Sequence, residues 1–402
     1  MSPFLQLIFI LALLILVAKL AGYLSTRLGQ PSVFGELLVG VLLGPSLLDV
    51  VHLSILTDTH LGEVLREIGE IGVLFLMFLA GLELDFRELA RNTRVASYAG
   101  TLGVFVPVLM GWLIGLAFGM EMNRAIFLGL TLGATSVSIS AQTLMELKVL
   151  RSRVGLGLLG AAVFDDILVI LLLSVFTSLM GGAGGGPAIL VTISRMVVYL
   201  GLAALFGLFL LPRIAHFVGK LGISQGTVTL AVVMMLVFGL TAELVGGMAA
   251  ITGAFLAGMM FGRTPEKRTI EHGFSVLAFA FFVPIFFVDI GLQVNLRILG
   301  ASSLWIFAVV TLVAVAGKLS GAGLGARLGG FNNREALQLG IGMISRGEVG
   351  LIVAAVGLSE GFLSDDIFST VVGMVLVSTL ITPPLLRWSF RNASENPVKE
   401  AA

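Results

Sequence analysis

Apolar residues run the length of the chain in stretches of about 18 residues or more, broken by short polar segments. A helix of that length crosses ~30 Å of hydrocarbon, and a spanning segment must satisfy all its backbone groups internally. The pattern predicts thirteen spans, at 4–23, 32–48, 68–84, 95–118, 124–147, 153–180, 188–217, 226–242, 245–262, 271–293, 300–325, 336–359 and 366–388. The connections are too short for a soluble domain, and 389–402 reads as a short tail. The fold class expected is an all-α polytopic membrane protein.

Composition agrees. The chain is 57% hydrophobic and 12% charged, with mean hydropathy +1.07; a soluble domain carries about twice that charged fraction. There is no cysteine, which excludes disulfides, thiol chemistry and thiolate metal sites. The 51 glycines suit close helix packing and broken helices in lipid. The first span lacks a basic leader and a small-residue cleavage site, so it reads as retained.

Basic residues orient the spans. With the N-terminus outside, Arg87, Arg91 and Arg94, then Lys148, Arg151 and Arg153, then Arg263, Lys267 and Arg268 all fall inside. The opposite side holds only Arg66, Arg124, Arg195 and Arg297. The expected placement is a cell (inner) membrane, N-terminus outside and C-terminus cytoplasmic.

The two halves resemble each other. Gly35, Gly40 and Gly44 of span two recur with the same spacing as Gly253, Gly258 and Gly262 of span nine. Span three ends Gly81-Leu82-Glu83-Leu84-Asp85, and span ten ends Gly291-Leu292-Gln293-Val294-Asn295. Span n pairs with span n + 7, an odd offset, which gives two inverted repeats of six joined by span seven as a linker helix. Inverted repeats with broken helices at the midplane mark secondary transporters.

Charge inside a span is expensive and points to function. Asp165 and Asp166 sit near the middle of span six, side chains about 100° apart on the helix, so one can face a cavity while the other meets a partner. Lys318 lies deep in span eleven, and either aspartate would serve as its counter-charge. Spans five and twelve, counterparts in the repeat, both carry polar interruptions: Thr135-Ser136-Val137-Ser138 after Gly133, and Ser345-Arg346-Gly347-Glu348 after Gly342. These suit unwound segments that cross, with Arg346 and Glu348 supplying charge to the exposed helix ends. Asp289 reads as interfacial, with a supporting place behind the site as the alternative. The run Gly155 to Gly160 matches a dinucleotide-binding spacing but has no preceding strand, so it reads as helix packing. His52, His60, His216 and His272 show no metal-ligand spacing.

Taken together, Ala134-Thr135-Ser136-Val137, Asp165-Asp166, Lys318 and Arg346-Gly347-Glu348-Val349-Gly350-Leu351 resemble the Kef/NapA-type monovalent cation:proton antiporters, over nearly the whole chain. The resemblance implies a homodimer in lipid, with 1–84 and 226–293 as a dimerisation scaffold. It implies a mobile core of 95–180 and 300–388 that moves as an elevator, linked by 188–217. Asp166 would bind the cation or a proton, Asp165 would pair with Lys318, and Thr135 and Ser136 would border the site. Arg346 and Glu348 would act structurally or electrostatically. The Asp-Asp pair and the absence of a Kef-type nucleotide-binding domain favour exchange of Na⁺ or Li⁺ for H⁺, electrogenic if a second proton moves. K⁺/H⁺ exchange or Kef-type K⁺ efflux is the alternative; a channel or an intramembrane aspartyl protease ranks lower. No enzyme activity, cofactor or nucleic-acid partner is expected, and no metal beyond the transported cation.

Overall fold

All thirteen spans have helical counterparts in the computed structural model, which describes residues 1–53, 55–83, 92–180, 185–293, 304–359 and 361–391. The described residues are helices and connections, with no strand among them. Nine helices there are long and apolar enough to cross a membrane, so the chain is a multi-pass membrane protein. Shorter apolar helices accompany them.

Spans two and nine depart from expectation. Both were read as full crossings, but Ser32–Leu43 and Ala250–Phe261 are 12 residues each, about 18 Å at 1.5 Å per residue. Gly44-Pro45 ends the first, since the residue before a proline avoids helical backbone. Span three starts two turns earlier than expected, as Leu61–Glu83. Its first half places Glu63, Arg66, Glu67 and Glu70 on an exposed face, with Arg66 and Glu70 paired at 3.2 Å, so hydropathy alone conceals it. Spans seven, eight and ten each contain a π-helical turn, at Phe206–Leu210, Ala242–Gly246 and Ala278–Phe282. Leu84, Asp85, Val294 and Asn295 of the repeat motif, and Gly181 to Gly184, lie outside the described residues.

The chain divides into two compact units. The first comprises 1–57, 92–165 and 287–402. Within it, span eleven (Leu304–Leu328) lies along span four (Thr93–Ala117), seated by glycines four residues apart. A side chain on Gly321 would meet the Leu102 carbonyl, and one on Gly325 the Tyr98 carbonyl; Gly317 rests on Pro107. Small residues at i and i+4 let two backbones approach, the main way helices associate in lipid. Gly40 of span two is pressed against Val288 and Gly291 at the end of span ten.

The second unit comprises 58–91 and 166–286. Here Gly258 of span nine is pressed against Phe78 of span three, and Gly81 against Phe255 and Met259. Phe78 precedes Gly81 by three residues, as Val288 precedes Gly291. The counterpart glycines therefore make counterpart contacts: span two meets span ten, and span nine meets span three. Gly35 against Ala21 of span one, and Gly253 against Phe238 of span eight, repeat the relation. Phe75, Phe78, Phe274 and Phe282 stack into one aromatic cluster in the same unit.

Because a Cβ at Gly40 or Gly258 would strike backbone, Gly40→Leu and Gly258→Leu should each lower the thermal midpoint in detergent, by overpacking of about 1–3 kcal/mol. Gly201, with open space around it, is the control. Equal melting of all three leucine variants would show that the close approaches do not matter.

Candidate functional site

Two helices break where the polar stretches lie. Span five is helical over Met122–Gly133 and again over Ser138–Glu146; span twelve over Asn333–Gly342 and Gly347–Ser359. Unwinding starts directly after Gly133 and Gly342, one residue earlier in span five than the polar run suggests. The two extended pieces lie side by side in the first unit. The Ser136 N–H donates to the Ser345 carbonyl at 2.9 Å, and the Ser345 hydroxyl donates to the Ser136 carbonyl at 2.7 Å.

Breaking a helix strands carbonyls at its C-terminus and N–H groups at the next N-terminus, where partial charges accumulate. Side chains supply the partners. Ser140 Oγ donates to the Gly342 carbonyl at 2.5 Å. Arg346, fully buried, donates from one terminal nitrogen to the Ala134 carbonyl at 2.8 Å and from the other to the Ala314 carbonyl at 2.7 Å. Its positive charge thus sits against the C-terminal end of the first half of span five.

Beside the crossing lies a buried ion pair. Lys318 Nζ donates to Asp165 Oδ1 at 2.7 Å, and both side chains are essentially without exposure. Ala314, which holds Arg346, is one turn before Lys318 on span eleven. Of the buried polar atoms that make no hydrogen bond among the described residues, three belong to these side chains: Thr135 Oγ1, Asp165 Oδ2 and Arg346 Nε. Ser136 Oγ is bonded to Ser138 Oγ at 2.9 Å. Unsatisfied buried polar atoms of this kind are where water or an ion finds a partner.

Asp166 follows Asp165 in the continuous helix Arg153–Met180 but differs in environment. It is partly exposed where Asp165 is buried. In the second unit Thr252 Oγ1, on the short helix of span nine, donates to Asp166 Oδ2 at 3.3 Å. Thr252 carried no signal in the sequence, because a threonine in a membrane helix is ordinary. The Glu348 side chain lies outside the described residues.

One further residue departs from the sequence reading, and two acids outside that reading are also engaged. Asp289 is buried, not interfacial, and accepts from Gln293 Nε2 at 2.6 Å. Glu36 of span two is also buried, 3.5 Å from the half-exposed Lys19, and Glu146 closes the start of span two by accepting from the Ser32 N–H at 2.7 Å and the Ser32 hydroxyl. Both acids sit near span ends, where an acid in the sequence looks solvated. All four histidines are exposed, and no cluster of metal-ligating side chains occurs among the described residues.

Residues 12–391 match the family model described as "Sodium/hydrogen exchanger, transmembrane". The chain belongs to the sodium/hydrogen exchanger family. It is 41% identical over 382 residues to the Na(+)/H(+)-K(+) antiporter GerN of Bacillus cereus, covering 95% of this chain and 96% of GerN. It is 36% identical over 389 residues to a Na(+)/H(+) antiporter of Enterococcus hirae, covering 96% and 99%. The fold matches the sodium proton antiporter MjNhaP1 of Methanocaldococcus jannaschii with TM-score 0.69 over 98% of each chain, at 18% identity. The family is one of transporters. The narrower Kef/NapA-type assignment finds no support in these matches, and Kef-type potassium efflux is correspondingly disfavoured.

Removing one member of a buried ion pair leaves an uncompensated charge, at about 3–5 kcal/mol. Lys318→Gln should therefore lower the thermal midpoint markedly, and adding Asp165→Asn should restore part of the loss. A Lys318→Gln protein as stable as wild type would rule out a structural role for the pair.

Proposed function

We propose that this antiporter exchanges Na⁺ or Li⁺ for H⁺ by competition of the two ions for the Asp166 carboxylate. The observation that carries the reading is the unlike treatment of two adjacent aspartates. Asp165 is locked to Lys318 in a dry environment, whereas Asp166 keeps partial exposure. The second is therefore the one assigned the cargo ion. Family membership and the sodium/proton relatives support the choice of cargo.

A carrier that crosses only with Asp166 occupied must exchange one ion for the other, with no other energy source. Thr135 and Ser136 would offer oxygen atoms beside the cation, since the Thr135 hydroxyl has no partner among the described residues. Hard monovalent cations take oxygen ligands, as the hard divalent ones do. Arg346 would hold the crossing together and Glu348 would supply counter-charge, as the motif resemblance implies. If Asp165 or Lys318 releases a proton when the cation binds, two protons move per cation and exchange is electrogenic.

In this reading 95–180 and 300–388 move as an elevator against 1–84 and 226–293, joined by 188–217, in a homodimer within the lipid of a cell inner membrane. The N-terminus is outside and the C-terminus cytoplasmic, as the basic loops indicate. Potassium is the second cargo to test, because GerN is named a Na(+)/H(+)-K(+) antiporter.

The test uses proteoliposomes with a trapped pH dye and an imposed pH gradient, to which Na⁺, Li⁺ or K⁺ is added separately. Na⁺ and Li⁺ should dissipate the gradient, and Asp166→Asn should abolish the response while the protein remains folded. Exchange that survives in Asp166→Asn would remove Asp166 from the central role.

A further inference from the structure

Five threonine hydroxyls in the membrane helices of this protein turn back on their own backbone. Thr131 donates to the Phe127 carbonyl, Thr143 to Ile139, Thr241 to Val237, Thr370 to Asp366 and Thr382 to Ser378, each four residues earlier. This is the default for a hydroxyl with no water to bond. Thr252 departs from it. It is the third residue of Ala250–Phe261, so position 248 lies before the helix begins, and its hydroxyl is directed at Asp166 Oδ2, 3.3 Å away. Thr252 is itself only 3% exposed. Its place in the first turn also puts the positive end of the helix dipole on the side of the carboxylate, and the preceding Ala249 has no side chain to cap that end.

From this we infer that Thr252 is a positioning residue that holds Asp166 in its ionised, empty form and so restrains the unloaded carrier. A hydroxyl bonds a carboxylate anion about twice as strongly as a neutral acid. When a proton neutralises Asp166, or a cation occupies its oxygens, that bond weakens. Thr252 belongs to 226–293 and Asp166 to 95–180, the two parts that must slide past each other if the elevator reading above is right, and the inference rests on that reading. The bond then tethers the moving part to the stationary one when Asp166 is empty. Antiport requires that the empty carrier stay put, because a carrier that returns empty after delivering a proton is a proton leak.

The experiment measures that leak. Wild type, Thr252→Val and Thr252→Ser are reconstituted in choline salts without Na⁺, Li⁺ or K⁺, and a thiocyanate gradient sets a membrane potential across vesicles holding a pH dye. Wild type and Thr252→Ser should be proton-tight. Thr252→Val, which keeps the shape and removes the hydroxyl, should leak about tenfold faster or more, the equivalent of one hydrogen bond to a charged group. The double variant Asp166→Asn/Thr252→Val should be tight again, since the route runs through Asp166. A tight Thr252→Val that still exchanges Na⁺ for H⁺ overturns the inference, and so does a leak that persists in the double variant. Should Thr252→Val fail to give a monodisperse protein, Thr252→Ala is read in its place by the same criteria. Loss of Na⁺-driven exchange in the wild type would overturn the underlying reading instead, which separates the two failures.

Discussion

A lysine ammonium with no solvent exposure, 2.7 Å from an equally buried carboxylate, is the constraint around which the first unit is organised. In hydrocarbon neither charge is tolerable alone, and a buried ion is stable only where its partner is close and the remaining polar atoms are engaged. The surroundings meet that demand in layers. Lys318 reaches Asp165, and Arg346 reaches the carbonyls of Ala134 and Ala314, the latter one turn from the lysine. The broken helices of spans five and twelve bond each other through Ser136 and Ser345. The break in span five frees the Ala134 carbonyl for Arg346, so that break and the buried cation support one another.

Such a network needs backbones in close approach, and glycine provides it. Gly317, Gly321 and Gly325 seat span eleven on span four, which brings Lys318 within reach of span six. The same device serves twice. Gly40 against Val288 and Gly291 in one unit corresponds to Gly258 and Gly81 against Phe78 and Phe255 in the other. The duplicated pattern extends to the lengths of the two short helices, 12 residues each, and to four unwound residues in each broken span. Copies offset by an odd number of spans are the inverted repeats that mark secondary transporters.

Adjacent carboxylates on one helix point about 100° apart, and that angle separates their chemistry. Asp165 faces a fixed cation and has no freedom to exchange it. Asp166 faces a hydroxyl, a neutral donor that yields more readily to a proton or a metal cation. A pair of identical side chains is thereby set in unlike surroundings, one dry and paired to a lysine, the other partly exposed.

Hydropathy and polar punctuation in the sequence determined a great deal. All thirteen helices, the breaks behind Gly133 and Gly342, and the inverted relation between halves are legible there, because cost in a membrane is local: each segment must be apolar or explain its polarity within itself. Pairing is not local. From the residues alone, Lys318 had two candidate aspartates; only the resemblance favoured Asp165, 153 positions away. Asp289 reads as interfacial in the sequence and is buried. Spans two and nine had enough apolar residues to cross and instead form half-length helices. Thr252 gave no sign at all, since what distinguishes it is where its hydroxyl goes. Those decisions depend on distances between segments remote in the chain, which helix packing creates and which no window along the sequence contains.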